Sequence, residues 1–213
     1  MTKLCLLLTL TGSAAFGQLF SYGLKGGLPM TSFIDAVQSG SATSSSTTNR
    51  YIVGPTGEIH LPYGLGVEVD ILYRHFNYSS SGTFGALVGS FSNTTTGNAW
   101  EFPLLVKYRI KSKVVHPFVD AGVSWDKLSG LTQTATNIVN RVTNTTTTGN
   151  PLELSNSATR GFVMGGGIDV KVLILHISPE VRFTRWGDKH FIDPAGLLHS
   201  NLSQAEFLVG FTF

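Results

Sequence analysis

The chain has 213 residues, of which 42% are hydrophobic and only 13% charged, with a formal net charge of +2. This length holds one domain and a removable leader and leaves no room for a second large unit. The charged fraction is far below the roughly one quarter usual in a soluble domain, and the basic residues do not cluster, which argues against a nucleic-acid partner.

The first residues read as a secretory signal. Lys3 precedes an apolar run from Leu4 to Leu10, and Ala15 and Gly17 sit at the spacing a signal peptidase prefers. We therefore expect a signal peptide over 1–17 and a mature domain over 18–213. Cys5, the single cysteine, lies inside that leader, so the mature chain is expected to carry no disulfide or thiol chemistry. No later stretch approaches the roughly 18 apolar residues of a spanning helix. If the mature chain crosses a membrane, it crosses as strands.

From Phe20 to Leu28, the set Phe20, Tyr22, Leu24, Leu28 alternates with Ser21, Gly23 and Lys25, the two-residue period of a strand. Pro29 to Arg50 reads as a loop that ends in a Ser/Thr run too polar to order itself. Tyr51 to Leu61 is the second strand, closed by the turn Pro62-Tyr63-Gly64. The third, Leu65 to about Tyr78, sets Leu65, Val67, Val69, Ile71 and Tyr73 against Glu68, Asp70 and Arg74. Ser79 to Asn98 reads as a long polar loop.

Ala99 to Arg109 places Trp100, Phe102, Leu104, Val106 and Tyr108 on one face. Pro103, on the other, lacks a ladder donor and predicts a bulge or a missing bond. Strand five, His116 to Trp125, follows a short basic turn and precedes the longest loop, Asp126 to about Ala158, which has no clear period. Thr159 to Lys171 is strand six. Near Val172 to Ile174 the apolar set changes parity, which requires a turn although neither Gly nor Pro marks it. Leu175 to Trp186 is strand seven. After a loop from Gly187 to about Ser203, the strand Gln204 to Phe213 puts Ala205, Phe207, Val209, Phe211 and Phe213 on one face.

Eight strands joined alternately by short turns and long loops predict an all-β, antiparallel up-and-down barrel. Four features favour a transmembrane barrel over a soluble one that turns its apolar set inward around a ligand. The apolar faces carry no charge until Arg185, at a strand end, and a charge at mid-membrane would cost about 2 to 4 kcal/mol. Large aromatics on those faces, among them Tyr22, Tyr73, Trp100, Tyr108 and Trp125, collect near strand ends as two girdles. The opposite faces mix both signs of charge with glycine, as a packed interior would. And the chain carries a secretion signal.

On the polar parity fall the acids Glu58, Glu68, Asp70, Glu101, Asp120, Asp169, Glu180 and Glu206 and the bases Lys25, Arg74, Lys107, Arg109, Lys171 and Arg182. An eight-stranded barrel is only wide enough for its own side chains, so these charges are expected to pair across a plugged lumen. Gly23, Gly66, Gly122, Gly165, Gly167 and Gly210 are expected to make room for Arg74, Phe118 and Arg182.

The runs Trp100-Glu-Phe-Pro-Leu-Leu-Val-Lys-Tyr108, Pro117-Phe-Val-Asp-Ala-Gly122, Ser178-Pro-Glu-Val-Arg-Phe-Thr-Arg-Trp186 and Val209-Gly-Phe-Thr-Phe213 carry a family resemblance. From Leu19 to Phe213 the chain resembles the small outer-membrane β-barrel proteins related to the membrane domain of the OmpA family. That implies a bacterial outer-membrane location with lipid as surroundings. It also implies recognition of the last strand by the barrel assembly machinery through Phe211 and Phe213. No counterpart of that family's peptidoglycan-binding domain is expected.

Chemistry has few candidates. His176, Ser178 and Glu180 share a strand face and resemble the triad of lipid A deacylases, in which His would take the Ser proton while Glu orients the His. Interior hydrogen bonding accounts for the same row. The histidines His60, His75, His116, His176, His190 and His199 show no ligand spacing. Gly165-Gly166-Gly167 lacks the strand-to-helix context of a phosphate loop, and Asn93-Thr94-Thr95 reads as solvated loop. Arg182 and Arg185 beside Trp186 form a candidate cation and aromatic cluster. No catalytic, cofactor-binding or metal residue is therefore assigned, and no cofactor. The expectation is a monomeric, non-enzymatic envelope protein that interacts through its extracellular loops. A narrow porin-like channel and a lipid A-modifying enzyme are the alternatives.

Overall fold

A computed structural model of the chain describes residues 19–36, 42–46, 51–83, 89–110, 112, 115–149, 151, 153–192 and 198–213. The signal peptide expected over 1–17 lies outside them. Eight strands form a closed ring. They are β1 (Phe20–Pro29), β2 (Ile52–His60), β3 (Leu65–Asp70, resuming as Leu72–Thr83) and β4 (Gly89–Arg109), then β5 (Val115–Val139), β6 (Ala158–Val172), β7 (Leu175–Trp186) and β8 (Ser203–Thr212). Each pairs antiparallel with its successor, and β8 returns to β1 with Leu24 opposite Phe211.

The parity of each strand decides which way it faces. Lys25, Glu68, Lys107, Asp120 and Arg182 are buried, while their neighbours Leu24, Val69, Val106, Val119 and Val181 are exposed. A continuous wall of exposed Val, Leu and Phe would make a soluble protein aggregate. Against hydrocarbon it is the stable arrangement, because the ring also pairs the backbone groups that lipid cannot satisfy.

The turns follow local chemistry. Pro62–Gly64 forms a 3-10 turn in which Tyr63 and Gly64 take left-handed φ of 66° and 83°. The unmarked turn between β6 and β7 is present at Leu173-Ile174, with Leu173 at φ 58°. The bulge expected at Pro103 is absent: β4 and β5 keep register there, Pro103 opposite Ser124. A missing donor removes a ladder bond and inserts no residue. The gap falls in β3, at Ile71, whose N–H donates to the Pro55 carbonyl (3.0 Å) on one side while the neighbouring pairings set Asp70 across from Pro103 on the other. The register shift in the β4–β5 hairpin lies instead at Thr96 to Asn98, where Gly130 of β5 takes φ 59°.

All four segments read as loops carry strand structure. β3 and β4 continue to Thr83 and back from Gly89, and β5 runs on to Val139 and folds at Asn140-Arg141 into the strand Val142–Thr148. Both turn residues have positive φ, 51° and 66°, as a two-residue hairpin of this twist needs. Ala42–Ser46, in the Ser/Thr run judged too polar to order itself, pairs with Tyr78–Gly82, and Leu198–Ser200 pairs with Ile34–Ala36. Backbone ladders and hydroxyl pairs such as Ser45–Ser79 (2.9 Å) and Thr136–Thr145 (3.4 Å) hold this extension. Burial adds only scattered positions such as Tyr78, Thr95 and Gln133, too few to show as a period.

A methyl group added at Gly167 would meet the Pro179 carbonyl and the Phe118 ring (2.8 Å), whereas at Gly26 the nearest atom is the Ile52 carbonyl oxygen, 3.7 Å away. Gly167→Ala is expected to lose about 1 to 3 kcal/mol of unfolding free energy, and Gly26→Ala to stay within about 0.5 kcal/mol of the parent. Urea unfolding of the protein folded into lipid vesicles measures both.

Candidate functional site

The inward side chains fill the lumen in layers. At the short-turn end, the two terminal nitrogens of Arg109 clasp both oxygens of Glu58, and its Nε donates to Asp169 (3.2 Å). His176 Nδ1 lies 3.0 Å from the same Asp169, and His60, His116 and His176 line this mouth. Above it, Lys25 donates to Asp70 (3.3 Å), Glu180 (3.1 Å) and Glu68. Arg182 donates to Glu180 (2.7 Å), Asp70 (2.9 Å) and Glu68 (3.1 Å). Lys107 donates to Glu68 and stands over the Phe118 ring, 4.3 Å from its centre.

The next layer is built on Arg74, which reaches Glu206 (3.2 Å), Asp126 (3.4 Å) and Glu101 (4.0 Å). His190 Nδ1 donates to the Asn156 carbonyl (2.7 Å), and its Nε2 lies 3.2 Å from Asp126. Arg74 also sits 4.4 Å from the centre of the Phe33 ring. There the ionic layers give way to an apolar cap of Phe33, Phe76, Tyr78, Ala99, Leu128 and Phe191. Phe33 and Phe191 come from the segments after β1 and β7 and fold into the barrel mouth, with Phe191 edge-on to Phe76 and Tyr78.

The row His176, Ser178, Glu180 is not assembled as a triad. His176 meets Asp169, Ser178 is buried opposite Gly210, and the Glu180 oxygens are taken by Lys25 and Arg182. Arg182, Arg185 and Trp186 do not cluster: Arg182 and Trp186 point inward, and Arg185 points outward to the Ser203 hydroxyl. Lys171, expected inside, is exposed because it lies past the end of the packed lumen. The glycines make room for Phe118 as expected, at Gly167, but elsewhere for other groups than Arg74 and Arg182. Gly66 accommodates Glu58, Gly165 accommodates Asp120 and Glu180, and Gly167 accommodates Phe118. Among the described residues no three His, Asp or Glu side chains gather as a metal site would need.

Sequence reasoning missed Asp126, His190, Phe33 and Phe191. Asp126 was legible, since it continues the even-numbered inward set Asp120, Ser124 of β5. The other three are isolated in polar segments and carry no pattern.

A closed ring with an apolar exterior and an ion-paired, aromatic-capped interior defines a transmembrane β-barrel. The chain belongs to the outer membrane protein beta-barrel domain family, whose model matches residues 16–187, and it lies in the bacterial outer membrane. Comparison with curated protein sequences gives no match. Among solved structures it is similar to the outer membrane protein OprG from Pseudomonas aeruginosa, at 13% identity and a TM-score of 0.49 over 91% of this chain and 93% of that one. It is also similar to Neisserial surface protein A, at 11% identity and 0.43 over 91% and 95%. A third is Ail, the attachment invasion locus protein of Yersinia pestis, at 9% and 0.31 over 92% and 97%.

Arg182→Met leaves three buried carboxylates to Lys25 and Lys107 alone and is expected to cost about 3 to 5 kcal/mol of stability, read from urea unfolding in vesicles. With the lumen filled, the protein in planar bilayers is expected to give no resolved single-channel steps. Large, regular steps would mean that the layers part.

Proposed function

We propose that the protein is a non-enzymatic surface protein whose working part is the sheet that β3, β4 and β5 carry beyond the bilayer, and that an extended segment of an extracellular protein adds to its edge. The carrying observation is length. A membrane-spanning strand needs about 9 to 11 residues, and β5 has 25. Beyond Trp125 it continues for roughly 45 Å along the strand at about 3.3 Å per residue.

Among the described residues Val142–Thr148 is one of the two outer strands of this sheet, exposed along its whole length and paired with Gln133–Val139. Its sequence, Val-Thr-Asn-Thr-Thr-Thr-Thr, has high strand propensity and carries neither the charge nor the proline with which proteins usually blunt a free edge. Such an edge offers main-chain hydrogen bonds to an incoming strand. The filled lumen supports the same reading, because it leaves the outside as the place for interaction.

Bacteria displaying the protein are expected to bind one or more members of a panel of immobilised extracellular-matrix and serum proteins more strongly than the empty strain. Lysines on the edge (Thr143→Lys, Thr145→Lys, Thr147→Lys together) are expected to reduce that binding about tenfold or more at equal surface display, since edge lysines oppose strand addition. Equal binding by parent and variant, or no binding by the parent across the panel, would refute the reading.

A further inference from the structure

Among the described residues the lipid-facing wall carries one group of cations. Lys127 of β5, Arg160 of β6 and Arg185 of β7 are all exposed and all on the outward parity, so that Arg160, near the start of β6, breaks the face expected to be free of charge until Arg185. Arg160 lies directly opposite Trp125, and Phe162 directly opposite Arg185. This register makes Arg160 the diagonal neighbour of both Lys127 and Arg185, about 7 to 8 Å away in a sheet. Among the described residues none of the three meets a carboxylate, although like charges at such spacing repel. The Arg185 contact is the neutral Ser203 hydroxyl.

The group sits at a defined depth. Trp125 is across from Phe102, Trp100 is across from Lys127, and Tyr73 packs on Trp100 with ring centres 5.0 Å apart. These rings make the girdle at the long-loop end, which in an outer-membrane barrel faces outward. Between the strands runs a groove of about 410 Å³ lined by Val123, Trp125, Phe162, the two arginines and the backbone of Gly161 and Gly187. The site thus pairs clustered positive charge at headgroup level with an apolar channel directed into the hydrocarbon.

We propose that Lys127, Arg160 and Arg185 bind the phosphorylated sugar head group of lipopolysaccharide, the glycolipid of the outer leaflet, with an acyl chain against Trp125 and Phe162. Guanidinium groups suit this ligand because their forked donors match phosphate oxygens. The inference shares the outward orientation of the loops with the functional reading above, and it does not depend on the sheet edge having a partner.

Native mass spectrometry of the purified protein in detergent micelles, titrated with diphosphoryl lipid A, tests it. Each cation changed to glutamine is expected to weaken binding about fivefold, and K127Q/R160Q/R185Q on the order of a hundredfold. K171Q, at the other end of the barrel, should bind as the parent does, and so should the edge-lysine variant. Phosphate-free lipid A should bind the parent as weakly as diphosphoryl lipid A binds the triple variant. Three results would overturn the proposal: parental affinity in the triple variant, an equal loss in K171Q, or equal affinity of the parent for phosphatidylglycerol. Heat-dependent gel mobility reports folding. Should the triple variant not fold, the parent's discrimination between phosphorylated and phosphate-free lipid A decides the matter.

Discussion

A hydrocarbon environment offers no partner to an unpaired backbone amide, so the structure depends on the seam where the first strand meets the last. There β1 and β8 pair from Gly23 opposite Thr212 to Pro29 opposite Glu206, and Tyr22 and Phe213 exchange backbone hydrogen bonds of 3.3 and 3.0 Å. Gly23 and Gly27 let the strands approach: a side chain at either would run into the carbonyl of Phe211 or Phe207. Closing the ring at eight strands removes every edge within the bilayer and also fixes the width of the interior. What faces inward has little room.

That narrowness explains the interior chemistry. Buried charges are tolerable only in close pairs, because the cost of stripping their water is several kcal/mol per ion. Lys25, Lys107 and Arg182 share Glu68, Asp70 and Glu180 so that each cation meets a carboxylate. This network also specifies register. A slip of one residue in β7 would turn Arg182 to lipid and Val181 into the charge cluster, two unfavourable exchanges at once. Nearer the outside, Phe33 and Phe191 extend the filling with aromatic packing and tie two connecting segments to the barrel mouth.

How much of this was legible follows from where two environments differ. Within the bilayer, lipid and ion pairs pull opposite parities apart, so β7 is read to the residue as Leu175–Trp186, and even the unmarked turn at Leu173-Ile174 shows as a change of phase. Outside, water touches both faces of the extension. Thr134, Thr136, Thr145 and Thr147 then look like loop although they pair across a ladder. The shift at Gly130 compounds this, because the inward set passes from Leu128 to Gln133 and breaks the period. Phe33, Phe191 and His190 gain their meaning from the opposite side of the barrel, which no local pattern records. The cation group was partly visible as Arg185 near Trp186, but that pair lies on opposite faces. The true companions, Arg160 and Lys127, are neighbours across strands.

The outer rim is uneven, and this brings the two external features together. β6 ends its pairing with β5 where Ala158 meets Lys127, whereas β5 continues to Val139 and pairs above that point with Val142–Thr148. The wall therefore drops by a full step between β5 and β6, with Lys127 at its foot and Arg160 and Arg185 on the lower side. An outer strand held above the bilayer needs a base that does not tilt or sink, and three cations at headgroup level oppose both movements. Displacing them toward hydrocarbon would strip their water, and raising them would expose Trp125 and Phe162. The three cations thereby brace the extension on the side where the wall steps down.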